Sequence, residues 1–193
     1  MKYRVAVFAS GKGTNTENLM IYFKDHQSIE ISLVLTNSDT AGVLQKAQKH
    51  DVATVVFTKS ELYGEKIAQR LQTSQIDFIV LAGFLWMFPT TILNKYLNKV
   101  INIHPALLPK YGGKGMYGMH VHRAVVAQGE RETGITIHFV NEHYDDGEIV
   151  FQAQVQLTPA DTPETVAEKI HALEQTHFPK VVEEVIMERY GKV

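Results

Sequence analysis

The sequence predicts an α/β fold: a doubly wound, mainly parallel, Rossmann-like sheet with an antiparallel C-terminal addition and a long C-terminal helix. Strand-like apolar runs alternate with helical patterns from Tyr3 to Ile103, which is typical of βα units. After residue 130 this alternation stops, and a strong helix start follows at Asp161–Glu164. With 45% hydrophobic residues and no cysteine, 193 residues can bury one core without disulfides. We therefore predict a single domain.

Apolar runs rich in β-branched residues predict five strands in the first part of the chain. They are Tyr3–Phe8, Ile29–Leu35, Thr54–Phe57, Phe78–Leu81 and Val100–Ile103. The segments between these strands have helical periodicity. The predicted helices are Asn15–Phe23, Gly42–His50, Ser60–Gln72 and Pro89–Tyr96. Short connections between alternating strands and helices indicate parallel strands with helices on both faces of the sheet.

The last third of the chain follows a different pattern. Two strand patterns, Thr133–Val140 and Ile149–Leu157, succeed each other without a helix, which predicts an antiparallel hairpin. A capping residue, an early proline and an acidic first turn start the final helix near residue 161, and we expect Pro179 to kink or break it. The glycine-rich segment Leu107–Met119 predicts a flexible surface loop, either a functional lid or a tolerated insertion.

The charge balance argues against a strongly basic surface. The 19 Lys and Arg residues against 21 Asp and Glu residues give a formal net charge of −2. We therefore expect no nucleic acid as partner. The N-terminal apolar run is too short for a signal peptide, and no run approaches the length of a membrane span. These features predict a cytoplasmic protein that acts on small molecules, without a membrane partner.

The fifth strand carries the most informative polar pair of the chain. Asn102 and His104 are two residues apart, so they lie on the same face of the strand, and Pro105 ends its ladder. Ligands bind at this carboxyl edge in α/β proteins. An amide can stabilise a developing oxyanion, and an imidazole can move protons near neutral pH. The alternative is a strand-end pair that only satisfies nearby backbone groups.

A glycine-rich turn, Ser10–Asn15, lies between the first strand and the first helix. Glycines allow close approach of an anion, and the helix start supplies free N–H groups. The spacing is not that of a Walker loop, and Thr16 stands where a dinucleotide fingerprint requires its third glycine. We predict a phosphate monoester bound by Gly13, Thr14 and Asn15. A tight turn that simply needs glycine is the alternative.

Two further segments could complete a site. Asp145, in the connection between the last two strands, could reach the Asn102 and His104 edge and raise the imidazole pKa, although Asp146-Gly147 also reads as a plain turn. The apolar run after the fourth strand could form a flat slot for a heteroaromatic ring or could be a packed loop. Its large side chains are Phe84, Leu85, Trp86, Met87 and Phe88.

The final helix repeats polar residues on one face. His171, Glu174 and His177 recur at three-residue spacing. Neither this set nor His120 and His122 has the spacing of a catalytic zinc site, so we predict no metal. Substrate contacts or a solvated polar face explain the pattern better.

Together these motifs resemble those of the phosphoribosylglycinamide (GAR) formyltransferases, a family of the formyltetrahydrofolate transferase/hydrolase superfamily. The resemblance covers nearly the whole chain. In order, the matching segments are Ser10–Asn15, Leu81–Phe84, Asn102–Pro109, His138–Val140, Asp145 and Glu174–Pro179. Two departures stand out: the Tyr111–Met119 loop is longer than is usual in the family, and Trp86 occupies a position that is frequently basic.

The resemblance implies formyl transfer from 10-formyltetrahydrofolate, as co-substrate, to the amine of GAR in purine biosynthesis, by a monomer or homodimer without a metal. Asn102 and protonated His104 would stabilise the oxyanion, while Asp145 would keep His104 charged and help to remove the amine proton. The implied GAR contacts are Gly13, Thr14, Asn15, His171 and Glu174. The implied pterin contacts are Leu85, Trp86, Met87, Phe88, Asn141, Glu142, His143 and Tyr144. Residues 1–100 would form the phosphate-binding half, and residues 101–193 the catalytic and folate-binding half.

Three alternatives remain open from the sequence. A formyltetrahydrofolate hydrolase resembles this domain with an added regulatory module, and a methionyl-tRNA formyltransferase has an added C-terminal domain; we expect neither extension here. Another N-formyltransferase of the superfamily should lack the phosphate loop. A non-catalytic phosphate-binding module would keep the glycine-rich turn and predicts no role for Asn102, His104 and Asp145.

Overall fold

One mixed sheet of seven strands lies at the centre of the computed structural model, which describes residues 2–190. The strands are β1 (Tyr3–Phe8), β2 (Ile29–Thr36), β3 (Ala53–Val56), β4 (Phe78–Leu81), β5 (Val100–His104), β6 (Glu132–Phe139) and β7 (Ile149–Gln156). Their order is β3-β2-β1-β4-β5-β6-β7. The first five pair in parallel, whereas β6 and β7 are antiparallel to their neighbours. The predicted doubly wound sheet with its antiparallel C-terminal addition is confirmed.

Helices cover both faces of the sheet. They are α1 (Thr14–Phe23), α2 (Val43–Lys49), α3 (Lys59–Tyr63), α4 (Lys66–Thr73), α5 (Thr90–Leu93), α6 (Met119–Ala127) and α7 (Pro163–Tyr190). One apolar cluster packs α1, α2 and α7 on one face, and a second packs α3, α4 and α5 on the other. Side chains along β1 alternate between the two faces of the sheet, so this strand contributes to both clusters. Val5 and Val7 belong to the first cluster, and Ala6 and Phe8 belong to the second. None of these helices is both long and apolar enough to cross a membrane.

The helices differ from the predicted pattern in four places. The single helix expected over Ser60–Gln72 is split, because Gly64 is extended at the end of α3 (φ −87°, ψ −162°). The predicted helix over Pro89–Tyr96 is reduced to α5. α6 was not predicted, although the buried pair Val121 and Val125 has helical spacing. Pro179 does not break α7, because it is itself buried and its neighbours extend the core contact of the helix.

Candidate active site

A cavity of about 710 Å³ opens at the carboxyl ends of β1, β4 and β5. Its wall combines the turn after β1, the turn after β4, the end of β5, the segment 113–118 and one face of α7. Parallel strands bring their carboxyl ends to a common edge, and this is where open α/β sheets bind ligands. Asn102, His104 and Asp145 all line this cavity, so the three residues distant in sequence meet here.

His104 ends β5 with a buried imidazole that is 3% exposed. Its Nε2–H donates to the backbone carbonyl of Tyr111 at 2.8 Å, because a carbonyl oxygen can only accept. Nδ1 lies 3.5 Å from Oδ2 of Asp145. Both ring nitrogens therefore face acceptors, which is the arrangement that suits an imidazolium.

Opposing effects act on the pKa of His104. Burial lowers this pKa, while the Asp145 carboxylate and the Tyr111 carbonyl act to raise it. Burial prevails, so the pKa of His104 lies below its ordinary value. Asp145 thus acts in the expected direction, but burial outweighs it. The protonated form of the ring would have an acceptor at each nitrogen.

Asp145 is held from several directions. Its Oδ2 accepts the backbone N–H of Gly113 at 2.8 Å, and its Oδ1 lies 3.6 Å from Nε2 of His138. Burial alone acts to raise the pKa of the Asp145 carboxyl, but the nearby imidazoles of His138 and His104 and the Gly113 N–H together lower it. The carboxylate is thus ionised beside the imidazole. Its backbone is left-handed (φ 54°), a conformation that Asp and Asn tolerate better than most residues.

The orientation of the Asn102 amide follows from its cross-strand partner. Asn102 pairs with His138 in the register between β5 and β6, and its Nδ2 lies 3.1 Å from Nε2 of His138. His138 Nδ1 lies 2.9 Å from the carbonyl of Phe139, so Nδ1 is the donor. In the neutral ring Nε2 is then an acceptor, and Asn102 donates one amide hydrogen to it. The second hydrogen of the Asn102 amide remains for the cavity.

Glu174 of α7 and Asn15 of α1 meet across the cavity. Nδ2 of Asn15 donates to Oε2 of Glu174 at 3.0 Å, and Gln175 Nε2 donates to Asn15 Oδ1 at 3.1 Å. His171 Nδ1 lies 3.7 Å from Oε2 of Glu174, but the His171 side chain is half exposed and does not line the cavity. Burial raises the pKa of Glu174 despite these donors.

A buried carboxyl with a raised pKa makes the stability depend on pH. The folded state of Glu174 binds its proton more tightly than the unfolded state, so the free energy of unfolding falls as pH rises above 4.5. We expect Glu174→Gln to remove this loss, because the neutral amide still accepts from Asn15. Thermal melting should give a higher Tm than wild type at pH 7 and an equal Tm below pH 4.5. A constant difference at both pH values would contradict this explanation.

The glycine-rich turn after β1 contributes unequally to the cavity. Ser10, Gly11 and Asn15 line it, whereas Gly13 and Thr14 do not. Gly13 has φ 69°, and a Cβ there would lie 2.5 Å from Cγ2 of Val43. Packing of α1 against α2 is therefore what requires this glycine.

The two glycines allow a matched stability test. Gly13→Ala adds strain and a clash, and should lower the free energy of unfolding by about 1–3 kcal/mol. A Cβ at Gly11 meets no atom within 4 Å, so Gly11→Ala should leave stability within about 0.5 kcal/mol of wild type. Urea unfolding of both variants measures the difference. Equal stabilities would show that the Val43 contact relaxes freely.

A smaller aromatic cleft of about 60 Å³ adjoins the main cavity at Asn102, Tyr144 and Asp145. The other predicted pterin contacts that line it are Trp86, Met87, Phe88, Asn141 and His143. Leu85 lines the larger cavity instead, and Glu142 lines neither. Edge-to-face contacts of Phe8 with Phe84 and Phe88 anchor the segment after β4 on the core.

Several residues at this edge were not among the predicted site residues. His138 orients Asn102, Tyr111 accepts from His104, and Tyr63 donates from its hydroxyl to the Met87 carbonyl at 2.9 Å. His122 of α6 also lines the cavity, and its buried Nδ1 has no hydrogen-bond partner within residues 2–190. Two of these residues left a signal in the sequence: His138 as an imidazole between the apolar residues Ile137 and Phe139, and His122 as a member of the His120 and His122 pair. In the same described range, no three His, Cys, Asp or Glu side chains are placed to hold a metal ion.

Comparison with known proteins agrees with this geometry. The formyl transferase family matches residues 3–182. A chloroplastic phosphoribosylglycinamide formyltransferase from Arabidopsis thaliana is 36% identical over 96% of this chain, which spans 66% of that relative's length. The phosphoribosylglycinamide formyltransferase of Bacillus subtilis is 31% identical over 95% of this chain and 94% of its own.

Solved structures give the same result. The crystal structure of phosphoribosylglycinamide formyltransferase from Bacillus halodurans superposes with a TM-score of 0.87 at 33% identity, over 96% of each chain. The enzyme of the same name from Anaplasma phagocytophilum gives a TM-score of 0.88 at 33% identity, over 97% of this chain and 89% of the other. The family match extends from β1 into α7 and includes the whole cavity edge. This chain belongs to the formyl transferase family.

Proposed function

We propose that this protein transfers the formyl group of 10-formyltetrahydrofolate to the primary amine of GAR in purine biosynthesis. The observation that carries this proposal is the meeting of Asn102, His104 and Asp145 in a cavity that Asn15 and Glu174 also line. An amide donor, a base and a carboxylate suit acyl transfer to an amine. The relatives named phosphoribosylglycinamide formyltransferase support this choice of substrates.

The oxyanion is the first group that the site must stabilise. As the amine nitrogen attacks the formyl carbon, a C–N bond forms and negative charge develops on the formyl oxygen. The free hydrogen of the Asn102 amide is available for this oxygen, because the other hydrogen is held by His138. Removal of one such donor typically costs about 3 kcal/mol of transition-state stabilisation.

Proton transfer completes the reaction. The attacking nitrogen becomes positively charged and must lose a proton. In the neutral imidazole of His104, Nδ1 is the atom that accepts this proton, because Nε2 already carries the hydrogen bonded to the Tyr111 carbonyl. The resulting imidazolium lies against Asp145, whose carboxylate stabilises its charge. When the bond from the formyl carbon to N10 of the folate breaks, that nitrogen takes up a proton. Protons are thus conserved over the cycle, and the protein ends in its starting state.

The two substrates have separate places in this proposal. The free N–H groups at the start of α1, with Ser10, Gly11 and Asn15, suit the GAR phosphate, and the Glu174 carboxylate suits ribose hydroxyls or the glycinamide. The flat pterin ring would lie where the small aromatic cleft joins the main cavity at Tyr144, because the cleft alone is too small for the whole ring. Gly11→Ala and Glu174→Gln should therefore each raise the KM for GAR while leaving the KM for the folate unchanged.

The experiment that tests this function follows the absorbance of a 10-formyl folate analogue with and without GAR. We expect turnover that requires GAR. Turnover without GAR would favour the hydrolase alternative, in which water replaces the amine. Binding of GAR by calorimetry without any turnover would favour a non-catalytic phosphate-binding module.

Location and assembly complete the proposal. We place the protein in the cytoplasm, acting as a monomer or homodimer on small molecules. Light scattering of the purified protein across the assayed concentrations distinguishes these two assembly states.

A further inference from the structure

Glu130 lies outside the cavity yet contacts the segment that reaches the catalytic imidazole. It follows α6, where Gly129 has φ 63° and the Glu130 N–H donates to the Val125 carbonyl at 3.3 Å. One oxygen, Oε1, accepts from Lys110 Nζ at 2.8 Å and from the Tyr111 hydroxyl at 2.9 Å. The carboxylate is thus fixed to the end of a helix and holds both residues.

Tyr111 connects this carboxylate to His104. Its backbone carbonyl accepts from Nε2 of His104 at 2.8 Å, and its ring packs against the small cluster of Ala106, Val121 and Val125. Its φ is 57°, a left-handed conformation that costs free energy in a residue with a bulky side chain. Such a backbone persists only where the surroundings stabilise it at more than one point.

We propose that Glu130 is a positioning residue for the formyl transfer: by holding the phenol of Tyr111, it keeps the Tyr111 carbonyl on Nε2 of His104. The inference rests on the proposed function for its role in the reaction, but the contact itself can be tested without turnover. The neighbouring Gly112 and Gly113 cannot supply this anchor through side chains. The Gly113 N–H donates to Asp145, which fixes the next peptide group and leaves the Tyr111 ring to be held elsewhere.

The charged and titratable groups around His104 define what the test can report. Asp145 faces Nδ1 at 3.5 Å. Two further imidazoles interact electrostatically with the ring: His138 from β6 and His122 from α6. Glu130 is not among the groups that affect His104 directly. Any effect of Glu130 on the titration of His104 must therefore pass through Tyr111.

The test uses NMR of protein labelled at histidine ¹³Cε1, with the His104 signal identified by its loss in His104→Gln. We expect Tyr111→Phe and Glu130→Ala each to lower the pKa of His104, because the imidazolium loses a firmly held acceptor on Nε2. In the GAR-dependent assay, each variant should also lower kcat/KM by about tenfold. The double variant should equal either single variant, because both changes break one contact.

Two controls separate positioning from general damage. Lys110→Met removes the other partner of Glu130 and should leave the His104 titration unchanged. Glu132→Ala removes a nearby carboxylate that contacts Gln156 of β7 and should also have no effect. An unchanged His104 pKa in Tyr111→Phe, or additive effects in the double variant, would overturn the proposal. Absence of GAR-dependent turnover in wild type would instead refute the proposed function, and the NMR titration would still decide the role of Glu130.

Discussion

Replacement of His104 by alanine is expected to lower kcat for GAR-dependent formyl transfer by about a thousandfold, the range typical of a lost general base. The imidazole lines the main cavity together with Asn102, which His138 does not, and each of its ring nitrogens has an acceptor nearby. The KM for GAR should change little, since the proposed GAR contacts Asn15 and Glu174 hydrogen-bond each other and do not depend on His104.

Single-turnover kinetics measure this effect, because they isolate the chemical step from product release. His104→Gln is the companion variant: its amide can still donate to the Tyr111 carbonyl, so it preserves the loop contact while removing the base. Both variants should melt cooperatively near the wild-type Tm. A wild-type single-turnover rate in either variant would show that the base lies elsewhere.

Asp145→Asn should give the second large effect, again about a thousandfold in kcat. The amide oxygen can still accept the Gly113 N–H, and Asn tolerates the left-handed backbone at this position, so the fold should survive. The oxygen that accepts the Gly113 N–H is also the one that faces Nδ1 of His104, so the amide NH₂ takes the other place and faces Nε2 of His138. The imidazolium that forms during the reaction loses its counter-charge.

The pH profile distinguishes this electrostatic role from a packing role. Because the Asp145 carboxylate acts to raise the pKa of His104, its loss should move the His104 limb of the kcat/KM profile to lower pH. Asp146→Asn, one residue away, is the matched control and should leave the profile in place. If Asp145→Asn lowered kcat without moving this limb, stabilisation of the imidazolium would not be its function.

Much of the fold could be predicted because local patterns agree with it. The apolar runs of β1, β2, β4 and β5 are buried on both faces, which makes them continuous in sequence and easy to identify. α6 and the passage of α7 through Pro179 could not be predicted this way. Both depend on burial against distant elements, and burial outweighs local propensity.

The candidate site was predictable to the same extent. Asn102 and His104 share a strand face by simple alternation, so their proximity needs no further information. Gly13 also has a packing role that the sequence pattern did not reveal, because a phosphate turn and a tight helix contact require the same residue. The contact with Val43, thirty positions further along, adds this second reason for a glycine.

The amino-acid sequence by itself determined three features: the order of strands and helices along the chain, the polar pair at the end of β5, and the family resemblance. Each depends on residues that are neighbours along the chain. Three features were decided only by the tertiary structure: the approach of Asp145 to His104, the Asn102 orientation set by His138, and the hold of Glu130 on Tyr111. These depend on strand pairing and loop closure between residues 19 or more positions apart, where distance and burial set the hydrogen bonds and the pKa values.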